Sequence, residues 1–159
     1  MPQDQVHKGL QNPLNQPPDK NNVMASIKQH MDELKKSVEE HPRDTLKMRE
    51  YADFLTAAHQ SDQAVIYYNK ILKVNLHRTD IMSSLVFLYF SANNLDEAEV
   101  YTKKIVVVDK NNVEAINNLG VISTNKGDRV KARQLWSKIV SNYPSSSLAQ
   151  KAKESIAQL

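Results

Sequence analysis

The sequence predicts an all-α fold: a solenoid of antiparallel helix pairs, preceded by an extra helix and closed by a capping helix. Three observations predict it. Beyond residue 22, apolar residues recur at i, i+3, i+4 and i+7, the rhythm of helices that bury one face. One pattern returns three times at a step of 34 residues, with no gap needed to hold the register. With three glycines in 159 residues and few alternating apolar runs, there is little material for a β-rich fold. A 34-residue period with two helices per unit marks repeats that bury their apolar faces only against one another.

Residues 1–22 read as a flexible tail or linker. They hold Pro2, Pro13, Pro17 and Pro18 among many Gln and Asn, and their few apolar residues show no sustained period. Such a segment cannot bury enough surface to offset its ordering entropy. A short binding motif around Leu10 and Leu14 is the minority reading. The folded domain is expected over 23–159. Its first helix, about 23–40, carries Val23, Ile27, Met31, Leu34 and Val38 on one stripe, with Asn21 or Asn22 as N-cap. Pro42 restricts His41 and ends it. A one-sided stripe must dock, and the first helix after Pro42 is the expected surface.

The three repeats are 45–78, 79–112 and 113–146. Slot four of each holds Met48, Met82 and Ile116; slot seven holds Tyr51, Leu85 and Leu119; slot ten holds Phe54, Leu88 and Ile122. Slot twenty is alanine every time (Ala64, Ala98, Ala132) and slot twenty-seven isoleucine (Ile71, Ile105, Ile139). The small residue lets two antiparallel helices approach, and slot eight (Ala52, Val86, Gly120) is expected to face it. Slot fifteen holds His59, Asn93 and Gly127, types that enter the left-handed region more readily than most and so can end a helix. Asp62, Asp96 and Asp128, or Ser61, are the expected N-caps of the second helices. After Pro144, a capping helix over about 146–158 opens on a Ser N-cap candidate. It places Leu148, Ala152, Ile156 and Leu159 inward.

Composition excludes several function classes. The chain has no cysteine, so disulfides, thiolate metal sites and Cys nucleophiles are out. The net charge of +3 is too mild to imply a polyanionic partner. No apolar run approaches the roughly 18 residues of a membrane span. The longest, such as Ile105–Val108, are core-sized. The N-terminus lacks the basic and apolar regions of a signal peptide. As the chain stands the expected compartment is cytoplasmic; a segment upstream of Met1 would make it periplasmic and membrane-anchored. No P-loop, GxGxxG, HExxH or GxSxG is present, and no two of the five histidines pair at i+4. Met24, Met31, Met48 and Met82 lie on apolar stripes and are expected in the core, not around a metal. No cofactor or metal is expected, and no catalysis.

These residues resemble the tetratricopeptide repeat family over about three quarters of the chain. The third unit is nearest, with Leu119-Gly120, Gly127-Asp128, Ala132, Trp136 and Pro144 in the family's slots. Slot four is nowhere Trp, slot eleven is Leu55, Tyr89 and Ser123, and slot thirty-two is Leu76 and Lys110 inside the array. The resemblance implies a right-handed α–α superhelix with a concave groove lined by the first helices, and a binding module in place of a catalyst. The family's groove slots select Arg49, Asp53 and Thr56 in the first unit, Ser83, Phe87 and Phe90 in the second, and Asn117, Val121 and Thr124 in the third. Two aromatics at i, i+3 on a solvent-facing strip read as an anchor for a partner segment, unless neighbours cover them. Family members that clamp a C-terminal carboxylate use basic groove slots. Here Asp53 and Glu114 would repel one, so no chaperone-tail clamp is expected. The floor suits a protein or peptide segment that is apolar or mildly basic.

From Lys126 to Glu154 seven cations face Asp128 and Glu154, a balance of +5. No aromatic is interleaved at base-stacking intervals, so a solvated face is the better reading than nucleic acid. Two alternatives to a soluble scaffold follow from the resemblance. One is a bacterial membrane-anchored assembly factor, as small members of the family serve in cytochrome c maturation. The other is a self-associating module, a homo-oligomer in which a tail or the Phe87/Phe90 surface fills a neighbour's groove.

Overall fold

The computed structural model describes residues 20–159; the tail reading for residues 1–19, with Leu10 and Leu14, lies outside them. Eight α-helices and no strand are present among the described residues. They are α1 (Lys20–Glu40), α2 (Thr45–Ala57), α3 (Ser61–Val74), α4 (Thr79–Ser91), α5 (Leu95–Val108), α6 (Val113–Asn125), α7 (Arg129–Asn142) and α8 (Ser147–Ala157). The pairs α2–α3, α4–α5 and α6–α7 stack in chain order as an α–α superhelix, with α1 against α2 and α8 against α7.

The turns inside the pairs show how unlike side chains meet one backbone need. His59, Asn93 and Gly127 are the residues with positive φ among those described, at 58°, 56° and 83°. Each lets the chain double back after the first helix. The amides of Gln60, Asn94 and Asp128 then donate to the carbonyls of Leu55, Tyr89 and Ser123 at 2.8 Å. The second helix begins one residue later, which bears out Asp128 as a cap and corrects the other two. Asp62 and Asp96 stand in the first turn, where they complement the helix dipole, and Ser61 opens α3. The N-cap position falls on Gln60, which makes no side-chain cap, on Asn94, which accepts from Glu97, and on Asp128, which accepts from Lys131. α1 likewise begins at Lys20, so Asn21 and Asn22 lie within it and do not cap it.

Burial follows the repeat. Ala64, Ala98 and Ala132 are wholly buried, as are Ile71 and Ile139, with Ile105 nearly so. One apolar cluster joins α1 to α5 and the start of α6; a second joins Ile116 and Ala132 to Trp136, Ile139 and Ala152. In the third pair the slot-eight residue lies against the indole at slot twenty-four. A methyl group on Gly120 would collide with Nε1 of the Trp136 indole and lie 2.7 Å from its Cε2. Gly120 therefore opposes slot twenty-four. Those two slots hold Ala52 and Tyr68, Val86 and Thr102, Gly120 and Trp136, so the larger one member, the smaller the other.

Four further expectations change. Ile105 is buried, but Val107 and Val108 of the same run are exposed, because a helix packed on one side cannot bury four residues in a row. Met48 and Met82 are in the core and Met31 packs against it, whereas Met24 is exposed. α1 runs 21 residues against 13 in α2, and residues 22–30 at its free end are exposed. In α8 the buried residues are Ala149 and Ala152; Leu148, Ile156 and Leu159 pack at their edge.

Candidate functional site: a groove on the first helices

The first helices of the pairs share one face and the second helices the other. Arg49 on α2 reaches Asp80 on α4. On the opposite face Tyr101 on α5 donates to Asn69 on α3 at 2.7 Å, and Lys131 on α7 reaches Glu99 on α5.

The first-helix face divides into a polar half and an apolar half. In the polar half, Arg78 holds Asp80 through two bonds, Nε to Oδ1 at 2.8 Å and Nη2 to Oδ2 at 2.7 Å; Arg49 adds a third at 2.7 Å. The Arg78 guanidinium, helped by Arg49, holds the Asp80 carboxyl below the usual carboxylate range. Arg49 also lies 3.5 Å from Asp53. Asp53 in turn accepts from the Tyr68 hydroxyl at 2.6 Å, with the Thr56 hydroxyl 3.4 Å from the same oxygen. Arg49 thus faces two carboxylates of its own chain.

The apolar half is a small cavity of about 210 Å³ between α4 and α6. Ser83, Phe87 and Phe90 line it from α4, and Val121 and Asn118 from α6, with Val86 and Ile122 behind. Phe87 is 62% exposed and Phe90 37%, so neighbouring helices do not cover them. Serine and two phenylalanines one helical turn apart stand on one stripe because residues three and four apart share a helix face.

The nine groove residues read from the sequence therefore separate. Ser83, Phe87, Phe90 and Val121 meet at one cavity, and Arg49, Asp53 and Thr56 form the polar cluster. Asn117 is turned to the core edge, where its Oδ1 accepts from the Trp136 indole at 3.1 Å, and Thr124 bonds the Gly120 carbonyl. Val86 and Ile122 read as core positions, yet they also back the cavity. Of the basic stretch, Lys126 and Lys131 are committed to Asp96 and Glu99, and Arg129 donates to the Leu159 carbonyl.

A larger cleft, about 630 Å³, opens on the second-helix face between α3 and α5. Repeat-slot reasoning missed it, because groove slots belong to the first helices. The available signals were Leu76 in a slot where the family has proline, and three successive valines, Val106–Val108, on a helix with one buried face. No group of three or more His, Cys, Asp or Glu side chains that could hold a metal occurs among the described residues.

No family model matches the sequence, and no curated protein matches it. Solved structures do match. A crystal structure of MamA superposes with a TM-score of 0.70 at 15% identity, covering 88% of this chain and 82% of that one. YrrB, described as a TPR protein with an unusual peptide-binding site, gives 0.68 at 22% identity, covering 83% of this chain and 68% of that one. A tetratricopeptide repeat protein from Parabacteroides merdae gives 0.68 at 17%, covering 87% of this chain but only 53% of its own length. The fold is that of tetratricopeptide repeat proteins.

Proposed function

We propose that the chain is a non-catalytic protein-interaction scaffold that holds a partner segment across the first-helix groove. The observation that carries this reading is the pair Phe87 and Phe90, exposed side by side at the mouth of an apolar cavity. Uncovered aromatics cost solubility, and in interfaces they are the residues that contribute most when buried. The cavity of about 210 Å³ suits one or two apolar side chains of a peptide rather than a whole cofactor. Beside it, Asp53 and Asp80 are already paired with Arg49 and Arg78, so the apolar floor more than charge would select the segment. Arg49 is occupied by both, which argues against capture of a terminal carboxylate. The likeness to YrrB, itself described as having a peptide-binding site, supports a peptide partner.

The test is a cross-linked pull-down comparing wild type with Phe87→Ser plus Phe90→Ser. Both side chains are exposed, so the variant should keep its helical circular dichroism. A specific partner should be retained by wild type and weakened at least thirtyfold in the variant, the ratio for a loss of about 2 kcal/mol. Unchanged capture would move the site off the groove.

Self-association is the second reading, favoured by the uncovered stripe Val23, Met24 and Ile27 on α1. A second copy's α1 could lie against Phe87 and Phe90. Sedimentation that rises with concentration and collapses in the double variant supports it; a monomer at every concentration removes it. The membrane-anchored alternative draws on nothing in residues 20–159, where no helix is long and apolar enough to cross a membrane.

A further inference from the structure

The face opposite the groove carries the larger cleft, and its chemistry differs. Met82 of α4 forms the floor; Leu72 and Leu76 come from the α3 side and Tyr101, Val107 and Val108 from α5. The Tyr101–Asn69 bond joins the two walls. The lips are apolar as well: Leu76 is 69% exposed and Val107 77%. Charge on the lips has one dominant sign. Lys73, Lys103, Lys104 and His77 all border the cleft. Lys104 lies over the Tyr101 ring at 4.4 Å, and Lys103 pairs with Glu99 at 2.8 Å. Glu99 is shared with Lys126 and Lys131, so it does not neutralise the rim. Asp109, at the end of α5, accepts from the Asn111 amide and the Asn112 side chain.

We propose that this cleft between α3 and α5 is a second docking surface, and that its occupant is an acidic amphipathic segment of a partner protein. Two observations choose that occupant. The apolar lining runs outward from Met82 through Leu76 and Val107, which stay 69% and 77% exposed, so floor and lips form one continuous strip along which a polypeptide segment can lie. Three lysines around an apolar floor are complementary to carboxylates flanking leucine-like anchors. A planar bilayer would meet the lips but not reach a floor as deep as Met82, which is 3% exposed. A second copy of this chain is a poor match, because the exposed stripe of α1 is bordered by Lys28 and His30, not by acids. The inference is independent of the first-helix groove: the residues are different and stand on the opposite face.

The test is a nuclear magnetic resonance titration of the whole chain with two synthetic 14-residue helical peptides. Both carry leucine at i, i+3, i+4 and i+7; the remaining positions are glutamate in one and lysine in the other. The glutamate peptide should shift the amides of Leu76, His77, Val107 and Val108, bind at least tenfold more tightly than the lysine peptide, and weaken as salt rises. Leu76→Asp with Val107→Asp should reduce binding tenfold or more without loss of helix content, since both side chains are exposed. Phe87→Ser with Phe90→Ser should leave it unchanged. Equal response to both peptides, shifts confined to α2, α4 and α6, or no response at millimolar peptide would overturn the proposal. So would binding to phosphatidylglycerol vesicles, lost in the Leu76/Val107 variant, with no response to the glutamate peptide; the face would then meet a membrane.

Discussion

At the scale of single residues, the decisive contact is Gly120 beneath Trp136. An added methyl would overlap the indole, and the indole cannot retreat without stretching the bond it donates to Asn117. Gly120→Ala is therefore expected to destabilise the fold by about 1–3 kcal/mol from overpacking. The higher helix propensity of alanine returns about 1 kcal/mol at most. Urea denaturation checks it: a midpoint equal to or above wild type would show that Trp136 moves freely. Sequence periodicity located both residues and the alanines of slot twenty, but it did not foresee that slot eight of the third pair meets Trp136 at slot twenty-four. The register along a helix says which side chains share a face; which of them meets which across a crossing depends on the interaxial angle, which no single-helix pattern encodes. The left-handed turn residues were legible even as His and Asn, because a fixed slot after each first helix demanded one backbone conformation. Asp128 caps its helix as expected, but the caps expected at Asp62 and Asp96 were displaced, since Asp is equally at home at an N-cap and in a first turn.

At the scale of helices, Glu99 ties α5 to the turn between α6 and α7 and to the start of α7. Its oxygens accept from Lys126 and Lys131 at 2.7 Å and lie 2.8 Å from Lys103, and Lys126 also bonds Asp96. The lysines, Lys103 foremost, hold the Glu99 carboxyl well below the usual carboxylate range, and Lys126 is pushed up by Asp96 and Glu99. A carboxyl depressed in the folded state contributes stability that is fully present above its unfolded value, about 4.3. That contribution fades as pH falls through the acid range toward the folded value. Wild type should therefore lose urea resistance between about pH 4.5 and pH 2.5 more steeply than Glu99→Gln, which should be weaker at pH 7 and flatter across that window. Parallel pH curves for the two proteins would show that the cluster contributes nothing. The sequence showed these charges as an acidic helix start and a basic stretch. Their pairing at separations of 27 and 32 residues comes only from the stacking of one pair on the next.

At the scale of the whole molecule, stability is a sum of neighbour contacts along a stack, with two unequal ends. The C-terminal end is closed by α8, which covers the Trp136 and Ile139 cluster with Ala152. Among the described residues the N-terminal end is less covered: α1 packs on α2 through Leu34 and Val38, while Val23, Met24 and Ile27 are exposed. Amide exchange is expected to be fastest in the first half of α1 and slowest in α4 to α6, with the inner residues protected roughly a hundredfold or more beyond the free end, about 3 kcal/mol. Uniform protection from α1 to α8 would contradict additive stacking. The fold was readable at this scale because a gapless period reports its own architecture. The second-helix cleft was not, because a residue turned outward from a helix pair obeys the same period as one turned into a groove. The cross-links between pairs have a mechanical consequence. Arg49–Asp80 spans one face, while Asn69–Tyr101 and Glu99–Lys131 span the other. Each is a strut on one side of the column, so removing one is expected to let the stack bend toward the other side. The rest curvature itself follows from the small rotation between successive pairs, and the struts are placed to resist departures from it.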